Sequence, residues 1–286
     1  MLIDAHQHVN WHGYDTDAIL ENLDQHNIDQ AWLLTWEAPG DEIDTAYWRV
    51  HDPRRTTMPL EDVIDACRRY PTRFVPGFAP DPRDLRSFGR LESAVAMFNV
   101  RVYGEWKYRV LVDSPECINM FRLCGQFKLP VIIHLDVPYL PPNDLSKYFQ
   151  WWYGGTVDNL ARAVEACPDT IFLGHGPGFW RYLSGDADWR TEIYPEGEFI
   201  PGGKIPPLMR QFPNLCCDLS AGSAHRALSR NRNFTLEFID EFQDRLVFAR
   251  DQFDAIMYEL LKALELDEAV ENKIFFENAM KLVSPR

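Results

Sequence analysis

The chain is short of basic charge: 29 Lys and Arg stand against 43 Asp and Glu, a formal net charge of -14. With no basic stretch to offset phosphate, nucleic acid and anionic membrane surfaces are excluded as partners, and an anionic substrate has to meet locally placed arginines. No apolar run approaches the length of a membrane span. The six cysteines, Cys67, Cys117, Cys124, Cys167, Cys216 and Cys217, show no C-x-x-C spacing. They read as reduced packing residues, with Cys216 and Cys217 on opposite faces of a strand. No Gly-rich dinucleotide turn follows the first apolar run, which argues against a doubly wound nucleotide-binding sheet. A cleaved leader would remove the histidine pair at the start of the chain, so a cytoplasmic location is expected.

What is present is a βα series. Its 286 residues, 46% hydrophobic, suit a single domain spanning 1–286 and approach the roughly 250 expected of one α/β barrel. Strand candidates are Leu2 to His6, Ala31 to Thr35, Phe74 to Ala79, Val100 to Gly104, Pro130 to Leu135, Ile171 to His175, Leu215 to Leu219 and Leu246 to Asp251. Helical periodicity falls on Asp17 to His26, Leu60 to Tyr70, Pro115 to Phe127, Val157 to Cys167, Thr235 to Phe242 and Asp254 to Leu264. Eight strands alternating with helices predict an α/β fold, a (β/α)8 TIM-like barrel with extended loops after strands five and six.

Polar residues close several of these strands, where a barrel keeps its catalytic face. Strand one runs into His6 and His8, a His-x-His pair whose strand spacing aims two imidazoles the same way. The same alternation places Asp4 beside them as a partner fixing an imidazole tautomer. Strands five, six and eight end in His134, His175 and Asp251. Each histidine by itself reads equally as a buried structural residue; converging on one mouth, three imidazoles and a carboxylate suit a divalent ion, Zn²⁺ first, with a position left for water.

Other residues are open to two readings. Arg101, Tyr103, Glu105 and Lys107 share one face of strand four by alternation, so Glu105 and Lys107 are either substrate or metal contacts or a salt-bridged pair on the rim. Asp218 and Ser220 are similar rim candidates. The long connections Val137 to Thr156 and Gly176 to Gly203 carry Trp151, Trp152, Tyr153, Phe179, Trp180, Trp189 and Tyr194. These aromatics either pack the loops on the rim or form a substrate lid, with Trp152 and Trp180 as wall residues. Arg109, Arg181 and Arg226 are candidate carboxylate clamps.

The segments Ile3-Asp4-Ala5-His6-Gln7-His8, Leu129 to His134, Leu173-Gly174-His175-Gly176, Asn214 to Ser220, Phe248 to Asp251 and Lys273 to Ala279 together resemble the amidohydrolase superfamily. Within it the resemblance is to the branch containing aminocarboxymuconate-semialdehyde decarboxylase and related metal-dependent hydrolases, and it spans nearly the whole chain. It implies that His6, His8, His134 and Asp251 hold one divalent metal, Zn²⁺ or alternatively Mn²⁺, and that His175 works beside it in acid/base catalysis or substrate polarisation; in the hydrolytic reading Asp251 is also catalytic, accepting the proton of the metal-bound water. Arg250 departs from the family's usual Ser or Thr before the strand-eight Asp.

The leading expectation is a metal-dependent hydrolase of a small ester, lactone or amide, through a metal-activated water. The alternative is a metal-dependent non-oxidative decarboxylase of a small carboxylic acid; the second is a non-catalytic metal-stabilised binding protein. The partner is a small-molecule substrate, with a homodimer allowed.

Overall fold

Parallel strands covered on both faces need near-continuous apolar runs. Eight such runs form strands in the computed structural model of the chain, which describes residues 1–37, 39, 42, 58–136, 153–186 and 194–283. They are β1 (Ile3–Gln7), β2 (Gln30–Leu33), β3 (Phe74–Pro76), β4 (Tyr103–Trp106), β5 (Val131–His134), β6 (Phe172–His175), β7 (Leu215–Leu219) and β8 (Leu246–Phe248). All their pairings are parallel, in two sheets ordered β1-β2-β3 and β4-β5-β6-β7-β8. The β3–β4 seam is crossed by a bridge between Gly77 and Val102. At the β8–β1 seam, the Asp251 N–H donates to His6 O at 2.9 Å. The strands thus follow one another around a TIM-like barrel in chain order, with isolated hydrogen bonds in place of a ladder at those two seams.

Inside the barrel lie Ile3, Ala5, Leu34, Val75, Val102, Ile132, Leu173, Cys216, Val247 and Ala249, all buried. Outside it, Ile133, Phe172, Leu215, Cys217 and Phe248 pack with residues of the surrounding helices. Cys216 and Cys217 do face opposite ways, and every cysteine is free. The six anticipated helices form as Thr16–Gln25, Leu60–Arg69, Pro115–Gln126, Val157–Ala166, Arg232–Phe242 and Ile256–Ala263. Arg86–Phe98, Ile205–Gln211 and Ala221–Ser229 are additional. Among the described residues no helix is long and apolar enough to cross a membrane.

Two register slips decide where the site residues point. Between the pairs Asp4↔Ala31 and Gln7↔Leu33, β1 spends three residues against two on β2. A slip of this kind reverses the faces of all that follows. Ile3 and Ala5 face the interior, and the slip brings His6 inward as well, while Asp4 stays on the other side. The expectation that Asp4 holds an imidazole is therefore corrected: its carboxylate takes Arg250 Nε at 2.7 Å and Gln7 Nε2 at 2.9 Å. In β4 the pairs Tyr103↔Val131 and Trp106↔Ile133 show the same three-to-two slip. Tyr103 packs outward, edge-on to Phe121, and Glu105 turns inward, so alternation fails there too. β4 also lies two to three residues later than expected, which puts Glu105 within the strand.

Gly174 of β6 leaves room for the Phe179 ring, into which a Cβ at that position would run. Gly174→Ala is expected to cost about 1–3 kcal/mol through overpacking beside His175. It would be read as a lower urea midpoint at unchanged slope; a wild-type midpoint would contradict the packing argument.

Candidate metal centre and active site

Imidazoles from β1 and from the residue that follows it meet a carboxylate from beyond β8. His6 Nε2 lies 3.1 Å from His8 Nε2, and Asp251 Oδ1 lies 3.5 Å from each. Asp251 reaches this point after β8 has ended, from a backbone with φ 58. The other ring nitrogens are held from behind. His6 Nδ1 is 2.6 Å from Asp218 Oδ2, and His8 Nδ1 donates to Leu34 O at 3.0 Å. A carbonyl can only accept, so His8 Nδ1 carries a hydrogen and its Nε2 turns a lone pair to the site. Two imidazole Nε2 atoms and a carboxylate converging in a buried space call for a cation between them.

The spacing fits one. An ion with bonds of ~2.1 Å sets tetrahedral donors ~3.4 Å apart, close to the 3.1, 3.5 and 3.5 Å observed. The charge balance points the same way. Glu105, Asp136, Asp218 and Asp251 crowd the site against the buried Lys107 ammonium, and uncompensated buried charge draws in protons or metal. Burial opposes a charge on His6, yet Asp251 and Asp218 outweigh it and push its pKa up to about 10. Burial, with Glu105, holds the Asp251 carboxyl above its ordinary range despite His6 and His8.

The second cluster is built differently. Glu105, buried, lies with Oε1 2.6 Å from His134 Nδ1 and 3.5 Å from His175 Nε2, and with Oε2 3.5 Å from His8 Nε2. Burial would raise its carboxyl, but His134 and Lys107 bring it well below the ordinary range. The rim salt-bridge alternative for Glu105 and Lys107 is thereby set aside, since both are buried beside the histidines. His134 has carboxylates on both nitrogens, its Nε2 lying 3.1 Å from Asp136 Oδ2. It is not gathered with His6, His8 and Asp251 as they stand. The 2.6 Å contact is a charge-assisted hydrogen bond, shorter than the ~3.4 Å that separates two donors on one tetrahedral ion. Among the described residues His6/His8/Asp251, Glu105/His134/His175 and His6/His175/Asp218 each bring donor atoms close enough for an ion, and the second of these is joined by a short hydrogen bond.

His175, at the end of β6, is the group with spare capacity. Ser220 Oγ lies 2.8 Å from its Nδ1, while its buried Nε2 has no hydrogen-bond partner among the described residues. That Nε2 is 3.7 Å from Asp251 Oδ2. Ser220 is the N-cap of Ala221–Ser229, yet its side chain makes no cap bond. The hydroxyl that usually serves a helix N-terminus is spent on His175 instead. Burial, reinforced by His6 and His134, lowers the His175 pKa well below the ordinary value, so its ring is neutral.

These opposed shifts set a window for the metal-free protein. His6, raised from 6.5 to about 10, contributes stability that is complete below pH 6.5 and lost as pH rises toward 10. His175, lowered from 6.5, contributes stability complete above pH 6.5 and lost as pH falls below it. Chelator-treated protein is expected to be most stable near pH 6.5, with urea midpoints lower at about pH 5 and about pH 9. A midpoint climbing steadily across that range would contradict the two assignments.

Of the remaining expected residues, Lys107 lies with Nζ 5.0 Å from the Trp36 ring and 5.4 Å from the Tyr153 ring, facing the metal cluster. Trp180 is buried in the short helix Pro177–Trp180, and its indole donates to Asp218 O at 3.2 Å, which makes it backing for β7. Arg181 is buried beside Tyr182 and lines a small cavity with Tyr194 and Arg226. Tyr153 is tucked down as well, its hydroxyl donating to Glu42 O at 3.0 Å. Trp151, Trp152 and Trp189 lie outside the described residues. Asp136 was not singled out from the sequence, although His134-Leu-Asp136 is the same i, i+2 spacing that marked His6 and His8.

The sequence profile of the amidohydrolase family matches residues 3–284. The chain belongs to the amidohydrolase family. It is an enzyme of that family by this match, and solved structures agree on the fold. A dihydroxybenzoic acid decarboxylase from Polaromonas sp. JS666, with bound manganese and the inhibitor 2-nitroresorcinol, superposes with a TM-score of 0.63 at 16% identity, covering 99% of this chain and 96% of that one. An amidohydrolase from Burkholderia multivorans with bound zinc gives 0.62 at 14% identity over 100% of both chains. The 2,6-dihydroxybenzoate decarboxylase from Rhizobium gives 0.60 at 16% identity over 99% and 98%. No curated protein sequence matches the chain.

Proposed function

We propose that this amidohydrolase is a metal-dependent decarboxylase of a small carboxylic acid, a reading that reverses the order of preference drawn from the sequence. The observation that carries it is the buried Lys107 ammonium facing the His6, His8 and Asp251 cluster, a cation placed where a substrate's acid group would meet the convergent donors. The likeness to two dihydroxybenzoate decarboxylases supports the same choice.

His6, His8 and Asp251 hold one divalent ion, and His134 completes the set when its Nε2 leaves Asp136. His6 and His134 share one construction, each with a carboxylate 2.6 Å from Nδ1 and Nε2 as the outward atom. When bound, the ion supplies positive charge that stabilises electron density developing on the substrate; zinc and manganese, bound in the two neighbours, are the candidates. Lys107 attracts the substrate's acid group, with Arg181 more distant. Breaking the bond to the departing carboxylate leaves its electron pair on carbon, carbon dioxide leaves, and a proton drawn from solvent takes the carboxylate's place on that carbon. The His175 imidazole, fixed by Ser220, directs Nε2 at the reacting group and fills the polarising role.

Metal-assisted hydrolysis is the second reading. Its specific support is the neutral His175 with an unpartnered Nε2, a suitable base for water. A panel of small acids including 2,6-dihydroxybenzoate, incubated with metal-loaded protein in deuterated water, is expected to release carbon dioxide and place deuterium on the vacated carbon. Turnover of a lactone, ester or amide, with solvent oxygen entering the organic product and no carbon dioxide, would overturn the proposal in favour of the second reading.

A further inference from the structure

The donors of the metal site come from the end of β1 with the residue that follows it and from the residues after β8, two strands that share no ladder. Their spacing has to be set by something other than strand pairing. One carboxylate spans the gap. Asp4 is fully buried; its Oδ1 accepts the backbone N–H of Arg250 at 2.9 Å and that of His6 at 3.3 Å. Its Oδ2 accepts Arg250 Nε at 2.7 Å and Gln7 Nε2 at 2.9 Å. Gln7 Nε2 also donates to Gln252 O at 2.8 Å, and Arg250 Nη1 to Asp254 O at 3.4 Å.

The identity of these partners matters more than their number. His6 is itself a donor, Gln7 lies between His6 and His8, and Arg250 immediately precedes Asp251. Every donor in the convergent group is therefore held by, or adjacent to a residue held by, the same two oxygens. Four hydrogen bonds saturate a carboxylate's acceptor positions, and the charge-assisted pair to Arg250 is of the short, strong kind. Asp251 also sits at φ 58, a conformation that a non-glycine residue keeps only where its surroundings hold it. Its N–H is bound to His6 O at 2.9 Å, one residue from the Arg250 N–H on Asp4.

We propose that Asp4 and Arg250 are positioning residues, a buried clamp that sets the distance between the His6/His8 pair and Asp251 and so tunes the metal site. This rests on the reading that those three residues hold the ion. An ion pair that merely fastened the barrel would leave donor spacing unchanged when weakened. Here the carboxylate grips the backbone N–H of His6 and of Arg250, so a shift of Asp4 moves the chain on both sides of the ion.

Cobalt(II) is the probe, because its visible absorption reports coordination geometry independently of turnover. Wild type, Asp4→Asn, Arg250→Ala and Arg250→Lys proteins are stripped of metal and titrated with it. Folded Arg250→Ala and Asp4→Asn are expected to show displaced absorption bands and binding weakened ~10–100-fold. Arg250→Lys is expected to recover part of both, since an ammonium reaches Asp4 without the guanidinium fork. If Arg250→Ala does not fold, Gln7→Met removes one of the four bonds without unpairing a charge and is expected to shift the bands in the same direction. Folded variants with wild-type bands and wild-type cobalt affinity, and only a lower melting temperature, would overturn the clamp and leave the metal assignment standing. Cobalt binding by His6→Ala equal to wild type would overturn the metal assignment and the clamp with it.

Discussion

Alanine in place of His6 or Asp251 is expected to yield a folded protein that purifies without its divalent metal. Each change removes one of three donor atoms that stand 3.1 and 3.5 Å apart around a single point. Loss of an outer partner of a metal ligand already costs ~10–100-fold in affinity, and loss of a donor costs at least the upper end of that range. The effect is larger for His6, since its removal also leaves the Asp218 carboxylate, 2.6 Å from its Nδ1, buried without that partner. His6→Ala is therefore expected to be the less stable of the two as well as metal-depleted. Elemental analysis giving a full equivalent of metal in both variants would contradict the assignment. His134→Ala is the informative companion: with both ring nitrogens now on carboxylates, its depletion would show that His134 joins the ion.

His175→Asn separates chemistry from metal binding. The variant is expected to keep its metal and its fold and to lose turnover by ~10²–10⁴, the usual yield of a positioned acid or base. His175 Nε2 lies 3.5 and 3.7 Å from Glu105 and Asp251, is buried, and has no hydrogen-bond partner among the described residues. Asparagine retains a polar group near Ser220 but cannot carry a proton between two ring nitrogens. Measured at saturating substrate, the loss should fall on kcat with KM little changed. Loss of metal together with activity would make His175 a ligand and refute its separate role.

The strand-end residues were legible because their signal is local. His6, His8, His134 and His175 each interrupt or end an apolar run, and barrel logic sends such positions to one mouth. Asp251 was expected inward by strand alternation; its carboxylate does face the site, but from a left-handed residue three positions beyond β8. What could not be read was register. The slips in β1 and β4 are defined by pairing with β2 and β5, and nothing in Asp4-Ala5-His6-Gln7 or Tyr103-Gly104-Glu105-Trp106 announces them. They reversed the expected faces of Asp4 and Tyr103, and they explain why Asp218, on β7 two strands from β1, replaced Asp4 as the partner of His6. Asp218 and Ser220 could be marked only as rim residues, because their roles depend on imidazoles 212 and 45 residues away in sequence.

The central claim is that one divalent ion sits among His6, His8 and Asp251, and anomalous diffraction from metal-loaded crystals tests it most directly. Data collected on either side of the absorption edge of the loaded metal, zinc or manganese, should give a single peak at ~2.0–2.2 Å from His6 Nε2, His8 Nε2 and an Asp251 oxygen. A peak between Glu105, His134 and His175 with none at the first position, or no peak in the barrel mouth, would contradict the account.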